Sequence, residues 1–344
     1  MPTRGPMKPK VLLTFRLPQA GLNRLALTLG EAPAVPTRFP RMGREEILEG
    51  IGVADALLCN PYCKVDSELL ARAEKLKVVS TFSVGYDHID IPEATRLGVY
   101  VTHTPDVLSG AVADVAWGLL LAASRHMVAG DRYVRDGHWK TDSDLGFMMG
   151  HDFYGMTLGI VGAGRIGAEV AKRGRGFGMR ILYYSRHRKH ALEAELGAER
   201  ADLSKVLSGS DYVSVSLSLS KETHHMIGQK ELSLMKRSAV LVNTSRGAVI
   251  DEAALIAALK ERRIAGAGLD VFEVEPLPLD SPFLSLDNVV LLPHSASATA
   301  ETRDRMAVLA AQNLIDVLRG KRPKALLNAG VLSVRPLRSI KMLS

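Results

Sequence analysis

The chain has 344 residues, of which 47% are hydrophobic and 24% charged, and it carries a formal net charge of +7. This length predicts two domains, and neither a membrane-length apolar run nor a signal-peptide core is present in the sequence, so we expect a cytoplasmic protein that does not enter a membrane. The positive residues are scattered rather than gathered into an aromatic-interleaved patch, which favours small anionic ligands over nucleic acid.

The N-terminal block alternates short apolar runs with segments of helical character. Such alternation is typical of parallel β-sheets covered by helices. Strands are predicted at residues 10–14, 55–59, 76–81 and 98–102, and helices at 44–50 and 66–75.

The two cysteines, Cys59 and Cys63, stand at the predicted end of the second strand and in the loop that follows it. Neither a second cysteine pair nor a histidine cluster accompanies them in the sequence, so we predict no metal site. We interpret both as free thiols in a reducing cytosol.

A long apolar segment at 108–129 is predicted to form one helix, because its apolar residues recur at helical spacing. It is too apolar for a surface helix, although it contains Asp114 and Arg125. We therefore expect it to cross between domains or to pack against a second subunit.

The most informative run follows an apolar strand-like segment and reads G-A-G-R-I-G at 162–167. Gly162 permits a tight turn, Gly164 lets the backbone approach a pyrophosphate, and Gly167 allows close packing of helix and strand. Arg165 and Ile166 then open a helix whose N-terminal N–H groups favour phosphate. The run predicts dinucleotide binding rather than a glycine turn needed only for packing.

The next predicted strand, 179–184, bears on the choice of dinucleotide. A site that selects NAD places a carboxylate about 20 residues after the glycine run, where it holds the ribose 2′-hydroxyl. Here Ser185, Arg186 and Arg188 follow the strand instead. A hydroxyl and guanidinium groups suit a 2′-phosphate, so we predict a preference for NADPH, with NADH possible. The alternative is a solvated basic turn.

Three polar residues follow apolar runs in the second block, where open α/β sheets place their ligands. Arg246 follows one strand, Glu275 lies shortly after another that ends near Asp270, and His294 follows a third. Each alone could be structural, as an ion pair, a loop carboxylate or a core histidine. Together they suit reduction of a 2-oxo acid, in which a guanidinium binds the carboxylate and a histidine supported by a carboxylate donates the proton. Asp270 is close enough in sequence to meet the nicotinamide end of the cofactor.

The second alternating block runs from about 156 to 293, and a final helix is predicted at 300–319. The N-terminal block lacks a late strand and a closing helix, so we expect the C-terminal residues to return and complete it. The predicted organisation is a discontinuous substrate-binding domain, 1–105 with 294–344, and an inserted NAD(P)-binding domain, 106–293.

Several motifs occur in a characteristic order between residues 10 and 328. They are SVGYDHID at 83–90, TPDVL at 104–108, the glycine run, SRG at 245–247, GLDVFEVEP at 268–276, PH at 293–294 and SAT at 297–299. In these motifs the chain resembles the D-isomer-specific 2-hydroxyacid dehydrogenase family, and within it the glyoxylate/hydroxypyruvate reductases.

The resemblance implies two Rossmann-like/flavodoxin-like domains with parallel sheets, and a homodimer built around the long helix. It also implies that Arg246, Glu275 and His294 form the catalytic triad. Val84 and Gly85 would offer backbone N–H groups to the substrate carboxylate. The remaining residues that the resemblance assigns are Ser297 at the substrate and Ser218, Thr244 and Asp270 at the cofactor.

The chain departs from the family pattern at Ala296, where glycine is usual, at Ser218, where proline is common, and at Asp114, where glutamate is commoner. Ala296 would be strained if its φ had to be positive. The expected reactions are reduction of glyoxylate to glycolate and of hydroxypyruvate to D-glycerate. Two alternatives stay open: an aryl pyruvate substrate, whose ring Tyr62 could contact, and a dinucleotide-sensing corepressor with the same fold.

Overall fold

The computed structural model describes residues 8–31, 33–34, 36, 41–141, 146–340 and 342–343. The described chain forms two compact units: residues up to Leu108 with those from Thr299 onwards, and Ser109–Ala298. Both units are α/β with parallel sheets, as the sequence predicts. The unit boundaries lie a few residues beyond the predicted ones, at points where a long helix is about to begin.

The first unit holds four parallel strands among its described residues, ordered in space as they follow along the chain. Its N-terminal elements are β1 (Val11–Leu13), α1 (Gln19–Leu29), α2 (Arg44–Ile51), β2 (Ala56–Cys59), α3 (Ser67–Arg72), β3 (Val78–Thr81), α4 (Ile91–Arg96) and β4 (Tyr100–Thr102). The four predicted strands are confirmed. Helix α3 ends earlier than predicted because Ala73 leaves the helical conformation.

The segment predicted as one long helix is two helices, so this prediction is wrong. Helix α5 (Ser109–Ser124) and helix α6 (Met127–Arg135) meet at a bend of 63°. The break lies at His126, whose φ of 51° is left-handed. In the described part of the chain, no single helix is long and apolar enough to span a membrane; α5 and α6 meet that test by length and composition only as a bent pair.

The second unit holds a sheet of seven parallel strands within the described chain. Its further elements are β5 (Thr157–Val161), α7 (Arg165–Gly176), β6 (Arg180–Tyr184), α8 (His190–Leu196), β7 (Glu199–Arg200), α9 (Leu203–Gly209), β8 (Tyr212–Val215), α10 (Gln229–Leu234), β9 (Val240–Asn243), α11 (Glu252–Lys260), β10 (Gly266–Leu269) and β11 (Val289–Leu291).

The strand order in this sheet is β11-β10-β9-β8-β5-β6-β7. From β5 the chain adds strands on one side, then returns to place β8 on the other side. The carboxyl ends of β5 and β8 therefore flank a topological switch point, where open α/β sheets bind ligands. Every residue of β5, β8, β9 and β10 is buried, as expected for strands covered by helices on both faces.

The two faces of this sheet carry separate apolar cores. One face packs against α5 and α7, with Trp117 and Leu120 of α5 among its buried residues. The other packs against α9, α10 and α11, with Leu207, Leu232 and Leu255 at its centre. These cores fix the strand ends, and so the loops that follow them.

The C-terminal residues complete the first unit, through α12 (Ala300–Leu318) and α13 (Val331–Val334). Helix α12 packs on β3, where Ser80 Oγ donates to the Ala310 carbonyl at 2.9 Å. The expected late strand is reduced to a single antiparallel bridge between Thr102 and Leu326. In this unit Cys59 and Cys63 are buried free thiols.

Candidate active site

The glycine run forms the turn between β5 and α7, as predicted. Gly162 has a φ of +100°, and a Cβ there would lie 2.5 Å from the Ser216 carbonyl oxygen. A Cβ on Gly167 would lie 2.2 Å from the Gly162 carbonyl oxygen. Both positions therefore require glycine, the first for its conformation and the second for close packing of helix on turn.

Gly164 has a different environment, since a Cβ there would meet nothing within 4 Å. It is the N-cap of α7, and no side chain caps the helix there. The first N–H groups of α7, beginning at Arg165 and Ile166, lie at the positive end of the helix dipole, beside the space that Gly164 leaves open. This arrangement fits a pyrophosphate.

Two buried hydroxyl groups mark the same edge of the sheet. Ser216 follows β8 and Thr244 follows β9, and the hydroxyl of each has no hydrogen-bond partner within the described residues. Buried hydroxyls are normally satisfied, so both are suited to a polar ligand at the switch point. Thr244 is expected from the sequence, whereas Ser216 is not. Ser218, in the same loop, accepts the Thr223 hydroxyl through its carbonyl at 2.7 Å.

The predicted 2′-phosphate region lies immediately after β6. The Arg200 guanidinium donates to the carbonyls of Ser185 and Arg186, at 3.2 Å each, and so holds this loop. Arg188 is paired instead with Glu193 at 2.7 Å, and this hydrogen bond raises the arginine's pKa. Arg200 is not expected from the sequence, because it lies in a two-residue strand, β7, that carries no recognisable pattern.

Beside this loop lies a hollow of about 480 Å³. It is lined by Arg188, Glu193, Ala198, Glu199 and Arg200.

The structure brings His294 and Glu275 into direct contact. Nδ1 of His294 lies 2.7 Å from Oε2 of Glu275, whose other oxygen accepts the Phe272 N–H at 3.1 Å. Burial acts to raise the pKa of Glu275, but the hydrogen bond and charge of His294, the Phe272 N–H and the charge of Arg246 outweigh it and lower that pKa. The carboxylate is therefore ionised at neutral pH, and it fixes the tautomer that keeps His294 Nε2 available.

Asp270, at the end of β10, holds the backbone that carries His294. Its carboxylate accepts the N–H of Ser295 at 2.7 Å and of Ala296 at 3.0 Å, and its carbonyl accepts the N–H of His294. Burial raises the pKa of Asp270, against the effect of these backbone donors. The observed partners of this carboxylate are thus backbone amides of the histidine loop.

Arg246 is held by the side chain of Asn243, the last residue of β9. The Asn243 amide donates to the Arg246 carbonyl at 2.9 Å and accepts the N–H and the hydroxyl of Ser245. A guanidinium hydrogen bond to the Ser245 carbonyl, at 3.0 Å, orients the arginine further. Asn243, which holds Arg246 in this way, is not expected from the sequence, because an asparagine at a strand end has no specific signature.

Ala296, one of the departures, is accommodated without strain. The positive φ among the described residues of this loop belongs to His294, at 50°, and Ala296 is buried at 5% exposure. Ser297 is half-buried in the turn that the Ala298 N–H closes onto the Ser295 carbonyl at 2.8 Å. The turn therefore tolerates a methyl group where the family usually has glycine.

Val84 and Gly85 lie in the first unit, in the loop after β3. Ser83 Oγ donates to the Gly85 carbonyl at 2.6 Å, and the Val84 carbonyl lies 2.9 Å from Nδ1 of His103. Both carbonyls are thereby engaged, and the loop conformation is fixed by side chains of its own unit.

Comparison with known proteins identifies the family of the chain. The model of the NAD-binding domain of D-isomer-specific 2-hydroxyacid dehydrogenases matches residues 117–296. A glyoxylate reductase of Korarchaeum cryptofilum is 51% identical over 334 residues, which cover 96% of this chain and 99% of that protein. One from Thermococcus litoralis is 50% identical over 338 residues, covering 96% of this chain and all of the relative.

Solved structures with a similar fold come from related enzymes. An NADPH-dependent glyoxylate/hydroxypyruvate reductase from Sinorhizobium meliloti, in complex with NADP and malonate, superposes with a TM-score of 0.82 at 32% identity, covering 94% of this chain and 98% of that one. A glyoxylate reductase from Paecilomyes thermophila gives a TM-score of 0.82 at 34% identity, covering 93% and 99%. The chain therefore belongs to the D-isomer-specific 2-hydroxyacid dehydrogenase family of nicotinamide-dependent enzymes.

Proposed function

We propose that this enzyme reduces small 2-oxo acids, glyoxylate and hydroxypyruvate first, with NADPH as the preferred cofactor. The observation that carries the proposal is the 2.7 Å contact between His294 and Glu275 in the unit that also bears Arg246. A proton donor, its supporting carboxylate and a carboxylate-binding guanidinium are the groups that this reaction needs from a protein.

This geometry supports the following roles. A bound nicotinamide dinucleotide supplies the hydride. Arg246 binds the substrate carboxylate and polarises the adjacent carbonyl, as a guanidinium does best. His294 donates a proton from Nε2 to the carbonyl oxygen, and the ionised Glu275 stabilises the imidazolium before that transfer.

The named relatives support the substrate class. The curated relatives described above are glyoxylate reductases, and the Sinorhizobium meliloti enzyme was solved with malonate, a small carboxylate. We extend glyoxylate reduction to this chain on the strength of that similarity, and hydroxypyruvate because the Sinorhizobium meliloti enzyme is named for both acids.

The NADPH preference rests on the loop after β6. Ser185 stands where a carboxylate would hold the 2′-hydroxyl of NAD, and the exposed Arg186 follows it. The Arg200 guanidinium donates to this loop, so a third cationic group lies near Arg186 and Arg188. We propose that Ser185 and Arg186 contact the 2′-phosphate, while Arg188 contributes charge from its pair with Glu193.

For the remaining residues, we propose contacts with the substrate or the cofactor from the position of each residue in its own unit. We propose that the N–H groups of Val84 and Gly85 bind the substrate carboxylate. The residues proposed to meet the cofactor or substrate in the second unit are Gly162, Gly164, Arg165, Ile166, Gly167, Ser218, Thr244, Asp270 and Ser297.

We also propose a homodimer formed through α5 and α6. Helix α6 buries none of its residues within its own chain. Apolar side chains are exposed on it and just beyond it, with Met127 at 58%, Val134 at 54% and Trp139 at 62%. Such a patch marks an interaction surface. We propose a cytoplasmic location, where the buried free cysteines Cys59 and Cys63 would remain thiols.

The test is NADPH oxidation with glyoxylate, hydroxypyruvate and phenylpyruvate, repeated with NADH. Fast turnover of the two small acids with NADPH is the expected result. Preference for phenylpyruvate would transfer the same chemistry to aryl substrates, consistent with the exposed Tyr62 ring, which lies under the Arg41 guanidinium. No turnover of any acid, despite tight NADPH binding, would overturn the proposal.

A further inference from the structure

A second charged cluster lies in the unit of the triad: His225, Glu252 and Glu273. His225 Nε2 and Glu273 Oε1 are 2.7 Å apart, and the same oxygen accepts the Glu252 N–H at 3.2 Å. The Glu252 carboxylate in turn accepts the Glu273 N–H at 2.5 Å. The Glu273 carboxylate is thus shared between an imidazole and the N-terminus of α11.

The cluster joins three segments of chain. His225 lies between β8 and α10, and its N–H donates to the Ala248 carbonyl at 2.8 Å. Glu252 begins α11, a few residues after Arg246. Glu273 lies in the loop after β10, two positions before Glu275. Two of the three segments therefore carry a residue of the triad.

The segments that carry Arg246 and Glu275 also touch directly. A Cβ on Gly247 would lie 1.9 Å from the Phe272 carbonyl carbon and 2.3 Å from the Glu273 nitrogen. Backbone therefore packs on backbone with no side chain between. A small shift of the loop bearing Glu273 must also move Glu275, and with it the partner of His294.

Three carboxylates, those of Glu252, Glu273 and Glu275, lie close together here, and His225 is the hydrogen-bond partner of one of them. Burial raises the pKa of Glu252, and the negative charges of Glu273 and Glu275 add to the rise. A hydrogen-bond donor from His225 offsets part of this repulsion by holding Glu273 in place. His225 has a φ of 50°, a costly conformation for histidine that its contacts must maintain.

We propose that His225 and Glu273 are positioning residues, whose hydrogen bond fixes Glu275 and His294 relative to Arg246. Neither touches the reacting atoms. Their kinetic effect rests on the proposed function, whereas their effect on the geometry of His294 does not.

The chain provides a matched control. Arg262 also has a left-handed φ, 51°, and its guanidinium pairs with Asp287 at 2.6 Å. It lies between α11 and β10, before the strand begins, and so at the opposite edge of the sheet from the triad. Arg262→Ala therefore removes a comparable backbone-strained residue and ion pair without reaching the site.

The kinetic experiment compares His225→Ala, His225→Gln and Arg262→Ala, with glyoxylate and NADPH. Displacement of catalytic groups by a fraction of an ångström lowers rates steeply, so we expect His225→Ala to lower kcat about 10- to 100-fold with little change in NADPH affinity. Glutamine can place an amide N–H where Nε2 stands, so His225→Gln restores most of kcat. Arg262→Ala matches the parent.

An independent readout is the imidazole ¹⁵N resonance of His294 Nδ1, identified by its loss in His294→Gln. We expect it to shift in His225→Ala, to return in His225→Gln and to stay in place in Arg262→Ala. The proposal is overturned if His225→Ala leaves the resonance and kcat as they are in Arg262→Ala, or if His225→Gln restores neither. A parent enzyme inactive on every 2-oxo acid, whose resonance still shifts in His225→Ala, would overturn the proposed function alone.

Discussion

The backbone N–H of His294 donates to the carbonyl of Asp270 at 2.8 Å, while the carboxylate of Asp270 accepts the next two N–H groups along the chain. One buried residue thus fixes three successive peptide units and imposes the left-handed φ of 50° on the histidine. The side chain of His294 is aimed by its own backbone as well as by Glu275. Contacts of this kind maintain the conformational strain at His294, the proposed proton donor.

Asp270→Asn tests this relationship. Asparagine keeps one acceptor but places an amide N–H against a backbone N–H, so one loop bond is lost. We expect a loss of about 1.5–3 kcal/mol in unfolding free energy, moderated because the buried charge is also removed. The measurement is chemical denaturation together with kcat. Asp280→Asn, at an exposed residue of the same unit, should change neither; equal effects in both variants would contradict the assignment.

His294→Ala tests the proton donor. General acid catalysis accounts for about 10²–10⁴-fold in rate, so we expect kcat for glyoxylate to fall by that factor. NADPH affinity, measured by the fluorescence of the bound cofactor, should remain close to that of the parent. The exposed His151 offers a control in His151→Ala. A folded His294→Ala variant that loses cofactor affinity instead would refute the role.

Glu275→Gln tests the supporting carboxylate through its pH dependence. The folded state lowers the Glu275 pKa below its ordinary value of 4.5, so the ionised group contributes stability that is fully present above that pH. This contribution is lost as pH falls through the lower folded pKa. Glu275→Gln should therefore be less stable than the parent at neutral pH, and the difference in unfolding free energy should shrink in acid.

The same variant should also turn over more slowly. Glutamine can accept a hydrogen bond from Nδ1 but lacks the charge of the carboxylate, so it holds the His294 ring less firmly and kcat for glyoxylate should fall. Steady-state rates of the parent and the variant measure this loss. A parent-like kcat and a pH-independent stability difference would together argue against a charged contact.

Gly164→Ala and Gly167→Ala separate cofactor binding from folding. Alanine at 164 meets no protein atom within 4 Å, so the free protein should keep its Tm. The added methyl group would, however, occupy the space proposed for the pyrophosphate. We expect NADPH affinity to fall at least about tenfold, equivalent to 1.4 kcal/mol. Alanine at 167 is forced against the Gly162 carbonyl, so Tm itself should fall. Unchanged NADPH affinity in Gly164→Ala would place the phosphates elsewhere.

Ser185→Asp tests cofactor choice. A carboxylate after β6 repels a 2′-phosphate and can accept the 2′-hydroxyl of NADH. We expect the ratio of kcat/KM for NADPH over NADH to fall by about 100-fold, as for the loss of a charge-assisted hydrogen bond of roughly 3 kcal/mol. Ser204→Asp, at an exposed serine in α9, is the control. An unaltered ratio would show that this loop does not read the 2′ position.

The sequence pattern places Arg246, Glu275 and His294 after β9, β10 and β11, as the structure does, and the carboxyl ends of these parallel strands share one edge of the sheet. It also places Ser185 correctly after β6. It does not predict the backbone conformation of a single residue. Nothing in the apolar pattern of 108–129 shows that His126 will adopt a left-handed φ and bend the chain.

Long-range hydrogen bonds are the other gap. Arg200 and the pair of His225 with Glu273 are ordinary polar residues until the fold brings their distant partners to them. Asn243 differs, because its partners Ser245 and Arg246 are its neighbours in sequence and the local turn brings them together. Arg188 shows the converse, since its position in a basic run suggests phosphate binding while the fold gives it Glu193. Spacing reveals which strand end a residue follows, but it does not reveal which neighbour its side chain meets.

Arg246, Glu275 and His294, with the residues that hold them, all lie between His225 and Ala296, within one of the two compact units. The groups that we propose move the proton thus come from one continuous block of sequence. We expect exchange of the residues up to Leu108 and from Thr299 onwards between relatives to leave these groups in place. Such chimaeras test whether the outer segments determine which acid the enzyme accepts.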